Sequence, residues 1–250
     1  MSIPILKLIN LVILLVFLIG LIWYLRDLFF GADYEPASWE HARKKKQLSD
    51  DLMKAEKWFG DKVRFYVFWL QVERLKRDKV AGCFAELGVY KGESARLLHL
   101  MDNDRVLHLF DTFDGLPPED LKIETGEAAT YTNRNFRDTS VEKVLSYIGA
   151  GPDKVVVHKG YFPETTVDLG NEIFALVSLD ADLYNPTKAG LEFFYERLSP
   201  GGVLLIHDYN PKWEGLMRAV DEFCQTNRVV PVFIPDLQGT AMLVRPYEPV

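Results

Sequence analysis

The chain has 250 residues, 36 acidic and 29 basic side chains, a net charge of −7 and an apolar share of 48%. That suits one full α/β domain with a substantial core plus an appendage. The acidic balance excludes a nucleic-acid partner, which would need a basic face, and two cysteines, Cys83 and Cys224, exclude a disulfide framework and point to a reducing compartment.

The first segment differs in composition from all that follows. Leu8 to Leu25 is apolar except for Asn10, with no charge between Lys7 and Arg26. That is about the minimum length of a membrane span. No small-residue cleavage site follows it, and Trp23 and Tyr24 stand where interfacial aromatics belong. Residues 1–29 are therefore expected to form an uncleaved single-pass transmembrane anchor. Arg26 and the run Arg43-Lys44-Lys45-Lys46 outnumber Lys7 and the amino terminus, which puts the rest of the chain on the cytoplasmic side. Residues 30–49 read as a polar linker whose basic run can meet anionic headgroups. Residues 50–250 read as the working domain.

From Asp50 to Arg77 the apolar spacing is helical, with Trp58, Phe65, Phe68, Trp69 and Val72 on overlapping faces. One or two helices are expected there, capping the domain ahead of its first strand. That strand is the apolar run Val80 to Leu87. It breaks at Glu86-Leu87-Gly88-Val89-Tyr90-Lys91-Gly92 and leads into a helix over Glu93 to Leu100. Strand, glycine turn and helix N-terminus form the usual ligand-capture unit of an open α/β sheet. The spacing is not G-x-G-x-x-G, and an acidic residue at the strand's end suits a cationic or hydroxylated ligand better than a pyrophosphate. Glu86 thus favours S-adenosylmethionine over NAD.

Arg105 to Phe110 reads as the second strand. Asp111 follows it at the position from which an acidic side chain accepts ribose hydroxyls. Asp114-Gly115 then turns the chain. Residues 118–139 are polar and irregular, as lid loops are, and offer Tyr131, Asn133, Arg134 and Arg137 to an oxygen-rich ligand. A helix over Val141 to Ile148 and a strand over Lys154 to Val157 come next. Ile173 to Leu179 is continuously apolar, as a central parallel strand should be. It delivers Asp180 and Asp182 to the carboxyl edge of the sheet. After a helix over Lys188 to Leu198 and a turn at Ser199-Pro200-Gly201-Gly202, the strand Val203 to Ile206 delivers His207 and Asp208. Carboxylates gathered at one edge repel one another unless a cation or proton is shared, and magnesium takes such oxygen ligands. A helix over Gly215 to Thr226 and two short strands, Val229 to Ile234 and Thr240 to Val244, close the chain; the pair suits an antiparallel addition.

Taken in order, Glu86-Leu87-Gly88-Val89-Tyr90-Lys91-Gly92, Phe110-Asp111-Thr112-Phe113-Asp114-Gly115-Leu116-Pro117, Gly160-Tyr161-Phe162, Leu179-Asp180-Ala181-Asp182-Leu183-Tyr184, Leu198-Ser199-Pro200-Gly201-Gly202 and His207-Asp208-Tyr209 resemble the macrocin O-methyltransferase family of class I methyltransferases. The resemblance covers about Ala81 to Arg245. It implies a Rossmann-like α/β fold, a seven-stranded, mostly parallel sheet with an antiparallel last strand. It also implies S-adenosylmethionine as cofactor and a sugar hydroxyl as acceptor. Glu86, Gly88 and Gly92 would line the methionine end of the cofactor and Asp111 its ribose. Asp180 (or Asp182) and Asp208 match the family's magnesium ligands. His207 departs from it, standing where members often carry aspartate; imidazole suits softer metals.

The resulting expectation is a membrane-anchored, S-adenosylmethionine-dependent O-methyltransferase. Asp180 and Asp208 serve the metal or acceptor oxygen, and Asp182 or His207 takes the proton. The anchor points to a glycolipid or other lipid-linked sugar, and a homo-oligomer is compatible with the sequence. Two other readings stand beside it: a non-catalytic, membrane-tethered ligand-binding module, which His207 favours, and a nicotinamide oxidoreductase, which the missing G-x-G-x-x-G disfavours.

Overall fold

The structure, a computed structural model, describes residues 3–30 and 35–247. The chain divides into two compact units, Met1–Leu48 and Ser49–Val250.

The first unit opens with helix α1 (Ile3–Phe30), in which the 23 residues Pro4–Arg26 are long and apolar enough to cross a membrane. At about 1.5 Å per residue they reach about 35 Å, more than a hydrocarbon core of about 30 Å. Where a polar linker was expected, the chain forms helix α2 (Ala37–Lys44), with Trp39 and Ala42 buried. Two of the four basic residues there are already matched, Arg43 with Glu35 at 2.9 Å and Lys44 with Glu40 at 2.5 Å.

The second unit begins with two helices, α3 (Asp50–Trp58) and α4 (Lys62–Arg77). Ser49 and Asp61 cap them, each side chain accepting a backbone N–H three residues on, which satisfies a donor that the helix cannot. Then follow β1 (Cys83–Leu87), α5 (Glu93–Met101), β2 (Leu107–Asp111), α6 (Pro118–Leu121), α7 (Val141–Ile148) and β3 (Val155–Lys159). The remainder is β4 (Phe174–Leu179), α8 (Tyr184–Arg197), β5 (Leu198–Ile206), α9 (Glu214–Asn227), β6 (Val232–Ile234) and β7 (Thr240–Val244). The seven strands form one sheet in the order β3-β2-β1-β4-β5-β7-β6. β3, β2, β1, β4 and β5 run parallel, and β7 is antiparallel to both β5 and β6. The mostly parallel sheet with an antiparallel last strand is as expected. The chain reverses its direction of travel across the sheet between β1 and β4, the switch point at which open α/β sheets bind ligands.

Three local expectations shift. Residues 199–202 are not a turn between elements but lie within β5, as an irregularity: Phe174 pairs with Leu198 and Leu176 with Val203, so the chain takes extra residues on one side. Helix α8 starts at Tyr184, before Lys188, because Pro186 falls in the first turn, where its missing N–H has no intrahelical partner. Strand β6 starts only at Val232, after Pro231, which cannot donate to a ladder. Within 118–139 the chain forms α6 and a single 3-10 turn, Ala128–Thr130.

The core lies on the faces of the central strands. Phe110, Phe174 and Phe194 are wholly buried, and Phe194 meets Phe110 at 5.6 Å and Phe174 at 5.2 Å, both edge to face. Such pairs add about 0.5–1.5 kcal/mol each beyond area burial. They hold rigid the strands whose carboxyl ends carry the site.

Candidate active site

A cavity of about 560 Å³ opens at the carboxyl ends of β1, β2, β4 and β5. One wall is the glycine turn. Gly88 adopts φ +85°, and a Cβ there would lie 1.9 Å from the Asp180 carbonyl oxygen. The close approach joins the exits of β1 and β4, where the Asp180 N–H donates to the Leu87 carbonyl at 2.8 Å. Gly92, at φ +80°, is the left-handed residue from which α5 starts. Asp111 fixes the same turn from β2: one carboxylate oxygen accepts the Val89 and Tyr90 N–H groups at 2.7 and 2.9 Å, the other the Phe113 N–H at 2.7 Å. Three amides leave one lone pair of this carboxylate for a ligand.

Gly88 and Asp111 line the cavity, as do Asp180, Asp182, His207 and Asp208. Glu86 and Gly92 do not. Glu86 is 0% exposed, on the sheet face it shares with Ser178, and neither carboxylate oxygen has a hydrogen-bond partner among the described residues. Burial pushes its carboxyl up to about 8, against the opposing influence of Ser94, Arg64 and Ser178, with Asp180 reinforcing it. At neutral pH it is a neutral acid beneath the turn.

The four polar residues expected at one edge are brought together. His207 Nδ1 lies 3.1 Å from Asp180 Oδ1 and 3.3 Å from Asp208 Oδ2. Arg64, from α4, donates to Asp180 Oδ2 at 2.7 Å and stacks over Phe68 at 5.5 Å. Burial works against ionisation of Asp180, but the charges of Arg64 and His207 outweigh it and hold that carboxyl below the usual range. Burial, Asp180 and Asp208 push Asp182 the other way, well above it. Burial would lower the imidazole of His207, but Asp180 and Asp208 raise it to about 10. His207 is therefore the cation of the cluster, not a free base of near-neutral pKa. Asp182 and Asp208 both hold left-handed backbone, φ +60° and +62°, strain of the kind stored at functional sites.

The chain matches the macrocin-O-methyltransferase (TylF) family over residues 34–242. It belongs to that family. Among curated relatives, it is similar to the 8-demethyl-8-(2,3-dimethoxy-alpha-L-rhamnosyl)-tetracenomycin-C 4'-O-methyltransferase of Streptomyces olivaceus, 30% identical over 148 residues, 55% of this chain and 57% of that protein. It is 31% identical over 150 residues to the mycinamicin III 3''-O-methyltransferase of Micromonospora griseorubida, 55% of this chain and 59% of that one. The chain thus spans less than two thirds of the length of the curated relatives it matches. Among solved structures, the O-methyltransferase NovP superposes with a TM-score of 0.64 at 23% identity, covering 74% of this chain and 80% of that one. The calicheamicin methyltransferase CalS11 gives 0.57 at 24% identity, over 72% and 79%. These likenesses establish the methyltransferase fold.

The lining of the cavity would suit S-adenosylmethionine. The glycine turn, the start of α5 at Glu93 and Ser94, and Asp111 share one wall, and Phe110, Leu87 and Phe162 supply apolar surface. The donor set for a divalent ion is also present, since Asp180, His207 and Asp208 each offer a ligand atom within 4.8 Å of the others. An ion there must share Asp180 with Arg64 and displace the proton of His207.

Sequence reasoning missed Arg64, Asp120 and Trp213, all of which line the cavity. Arg64 had a signal: it stands four residues before buried Phe68, on a helix face that turns inward, and a buried cation requires a buried anion. Asp120 accepts from Tyr161 at 3.0 Å and Asn185 at 2.7 Å, pinning α6 to the start of α8; nothing in its local sequence marks it. Of the loop residues named in advance, Tyr131 lines the cavity, while Arg137 turns to Asp114 at 2.9 Å. Burial and the nearby Asp182 push the Tyr131 phenol up to about 12, so it remains a hydrogen-bond donor.

Proposed function

We propose that this protein is a membrane-anchored O-methyltransferase that moves the methyl group of S-adenosylmethionine to a sugar hydroxyl carried on a lipid. The observation that carries the reading is one cavity with two chemically distinct walls. The glycine turn with Asp111 suits the nucleoside and methionine ends of the donor, and the Asp180–Asp182–His207–Asp208 cluster suits the acceptor. The relative of Streptomyces olivaceus, whose named substrate carries a rhamnosyl group, supports a sugar hydroxyl.

The acceptor oxygen attacks the methyl carbon as the carbon–sulfur bond breaks, and the hydroxyl proton must leave in the same step. Orientation and proton removal are therefore the protein's tasks. Asp180, held ionised by Arg64 and His207, accepts a hydrogen bond from the acceptor and fixes its position. Asp182 takes the proton in its ionised form; burial and the neighbouring Asp180 and Asp208 raise its pKa, which makes it a stronger base than an ordinary carboxylate. His207, as imidazolium, lies between Asp180 and Asp208 and holds Asp180 ionised. A divalent ion held by Asp180, Asp208 and His207 would, when bound, lower the pKa of an acceptor hydroxyl. Gly88 and Asp111 shape the donor's pocket; Glu86 and Gly92 act from behind it, through the start of α5.

The exposed apolar helix α1 supports a single-pass anchor, and Arg26 with the basic run at 43–46 supports a cytoplasmic location for the second unit. An anchor places the site at the lipid surface, which favours a glycolipid acceptor over a freely diffusing one.

The test is transfer of labelled methyl from S-adenosylmethionine to a membrane glycolipid extract by the full chain in detergent micelles. Label is expected in a sugar-bearing lipid. Asp182→Asn is expected to lower kcat by about 10²–10⁴-fold, the usual contribution of a general base, with KM for the donor little changed. Unchanged turnover in that variant would remove Asp182 from the chemistry, and no labelled glycolipid would overturn the acceptor.

A further inference from the structure

A second cluster of metal-ligating side chains lies at the opposite end of the central strands, and none of its members lines the active-site cavity. Cys83 opens β1, His108 is the second residue of β2, and Glu172 stands just before β4. Their ligand atoms all lie within 4.8 Å of one another. The arrangement follows from register. His108 pairs with Ala85, which puts it on the sheet face of Cys83 two residues earlier, and the Cys83 N–H donates to the Ile173 carbonyl at 2.9 Å, which brings Glu172 alongside. The Cys83 thiol donates to Glu172 Oε1 at 2.9 Å. His158, from β3, extends the row: its Nε2 lies 2.9 Å from His108 Nδ1, with the rings stacked at 5.2 Å.

We propose that Cys83, His108 and Glu172 form a binding site for a zinc-class divalent ion, with His158 holding the ring of His108. The donor set is one thiolate, one imidazole and one carboxylate. These suit zinc, or cobalt in its place, and not magnesium, which takes oxygen ligands. Tetrahedral bonds of about 2.0–2.3 Å place ligand atoms about 3.3–3.8 Å apart, so the Cys83–Glu172 contact of 2.9 Å opens when an ion binds. The contact between His108 and His158 is the kind of outer support that fixes the tautomer and orientation of a metal-bound histidine. His108 is buried, while Cys83 and Glu172 are only partly so, which leaves a route for the ion from solvent. The nearby Arg105 is turned elsewhere, to Asp102 and to the Gly82 and Val80 carbonyls. On binding, the sulfur–hydrogen bond of Cys83 breaks, a sulfur–metal bond forms and the proton goes to solvent. The ion would clip β1, β2 and the entry to β4 together at their amino ends, far along the strands from the chemistry.

The test is titration of the full chain, in detergent micelles with a non-chelating reductant, with Co²⁺ followed by absorbance and with Zn²⁺ followed by Tm. The expected result is a thiolate-to-cobalt charge-transfer band that saturates at one ion per chain. Cys83→Ser is expected to abolish it and Glu172→Gln to weaken it, while Asp208→Asn, in the active site, leaves it intact. Zinc at a hundredfold excess over Kd is expected to raise Tm by about 5–10 °C in the native chain and by less in Cys83→Ser. No band, or a band that survives Cys83→Ser, would overturn the proposal. The absorbance reports binding whether or not the Cys83→Ser variant remains as stable as the native chain.

Discussion

Replacing Glu86 by glutamine is expected to stabilise the fold at neutral pH and to remove a pH dependence that the native chain carries. Glu86 is fully buried, lacks a hydrogen-bond partner for either oxygen among the described residues, and has its pKa raised from 4.5 to about 8. In the unfolded chain the same group ionises near 4.5. Between those values the folded state binds the extra proton, so stability falls as pH rises. The contribution is fully present below about 4.5 and gone above about 8. At about 1.36 kcal/mol per pH unit the loss reaches about 3 kcal/mol by pH 7 and about 5 kcal/mol over the whole interval. Glutamine copies the shape of the protonated acid and does not ionise. Its extra N–H groups need acceptors, so the net gain at pH 7 is expected to be about 1–3 kcal/mol. The assay is urea unfolding of both chains in detergent micelles between pH 5 and 8, followed by tryptophan fluorescence. The difference in stability should widen with pH. Parallel profiles across that range would refute the assignment of a neutral, buried Glu86.

Arg64→Gln removes the guanidinium that neutralises Asp180. It is expected to lower turnover at least tenfold, measured as initial rate at saturating donor, and to destabilise the fold by about 3 kcal/mol, since a buried charge loses its partner. Gly88→Ala would drive a Cβ to within 1.9 Å of the Asp180 carbonyl oxygen at a left-handed position. A fall in Tm of more than 5 °C is expected, about 2 kcal/mol or more. Asp111→Ala strips three backbone N–H groups of the glycine turn of their acceptor. It is expected to raise the Kd for S-adenosylmethionine at least tenfold by calorimetry, while the melting transition stays cooperative.

Much of the fold was legible because each strand and helix announces itself through its own residues. The run Ile173 to Leu179 reads as a central strand on composition alone, and helix α7 is found at the boundaries expected from the spacing of Val141, Val144 and Ile148. The misplaced boundaries share a cause, which is that proline and glycine mark interruptions without saying which kind. Pro186 opens α8 instead of preceding it, and Gly201 and Gly202 fall inside β5 instead of preceding it. At the site, the strand-end residues Asp111, Asp180, Asp182, His207 and Asp208 were visible because parallel strands must deliver their last residues to one edge. Arg64 was not, because it reaches Asp180 from a helix 116 positions away in sequence. The state of His207 was equally hidden. Its charge depends on two carboxylates whose distances only the folded chain defines.

The central claim is that the cavity at the carboxyl edge binds a methyl donor beside an acceptor cluster. Its most direct test is calorimetric titration of the full chain in detergent micelles with S-adenosylmethionine, with and without magnesium. One donor per chain is expected to bind in either condition, and Asp111→Ala to weaken that binding. Absence of binding in both conditions, or binding that Asp111→Ala leaves untouched, would contradict the account.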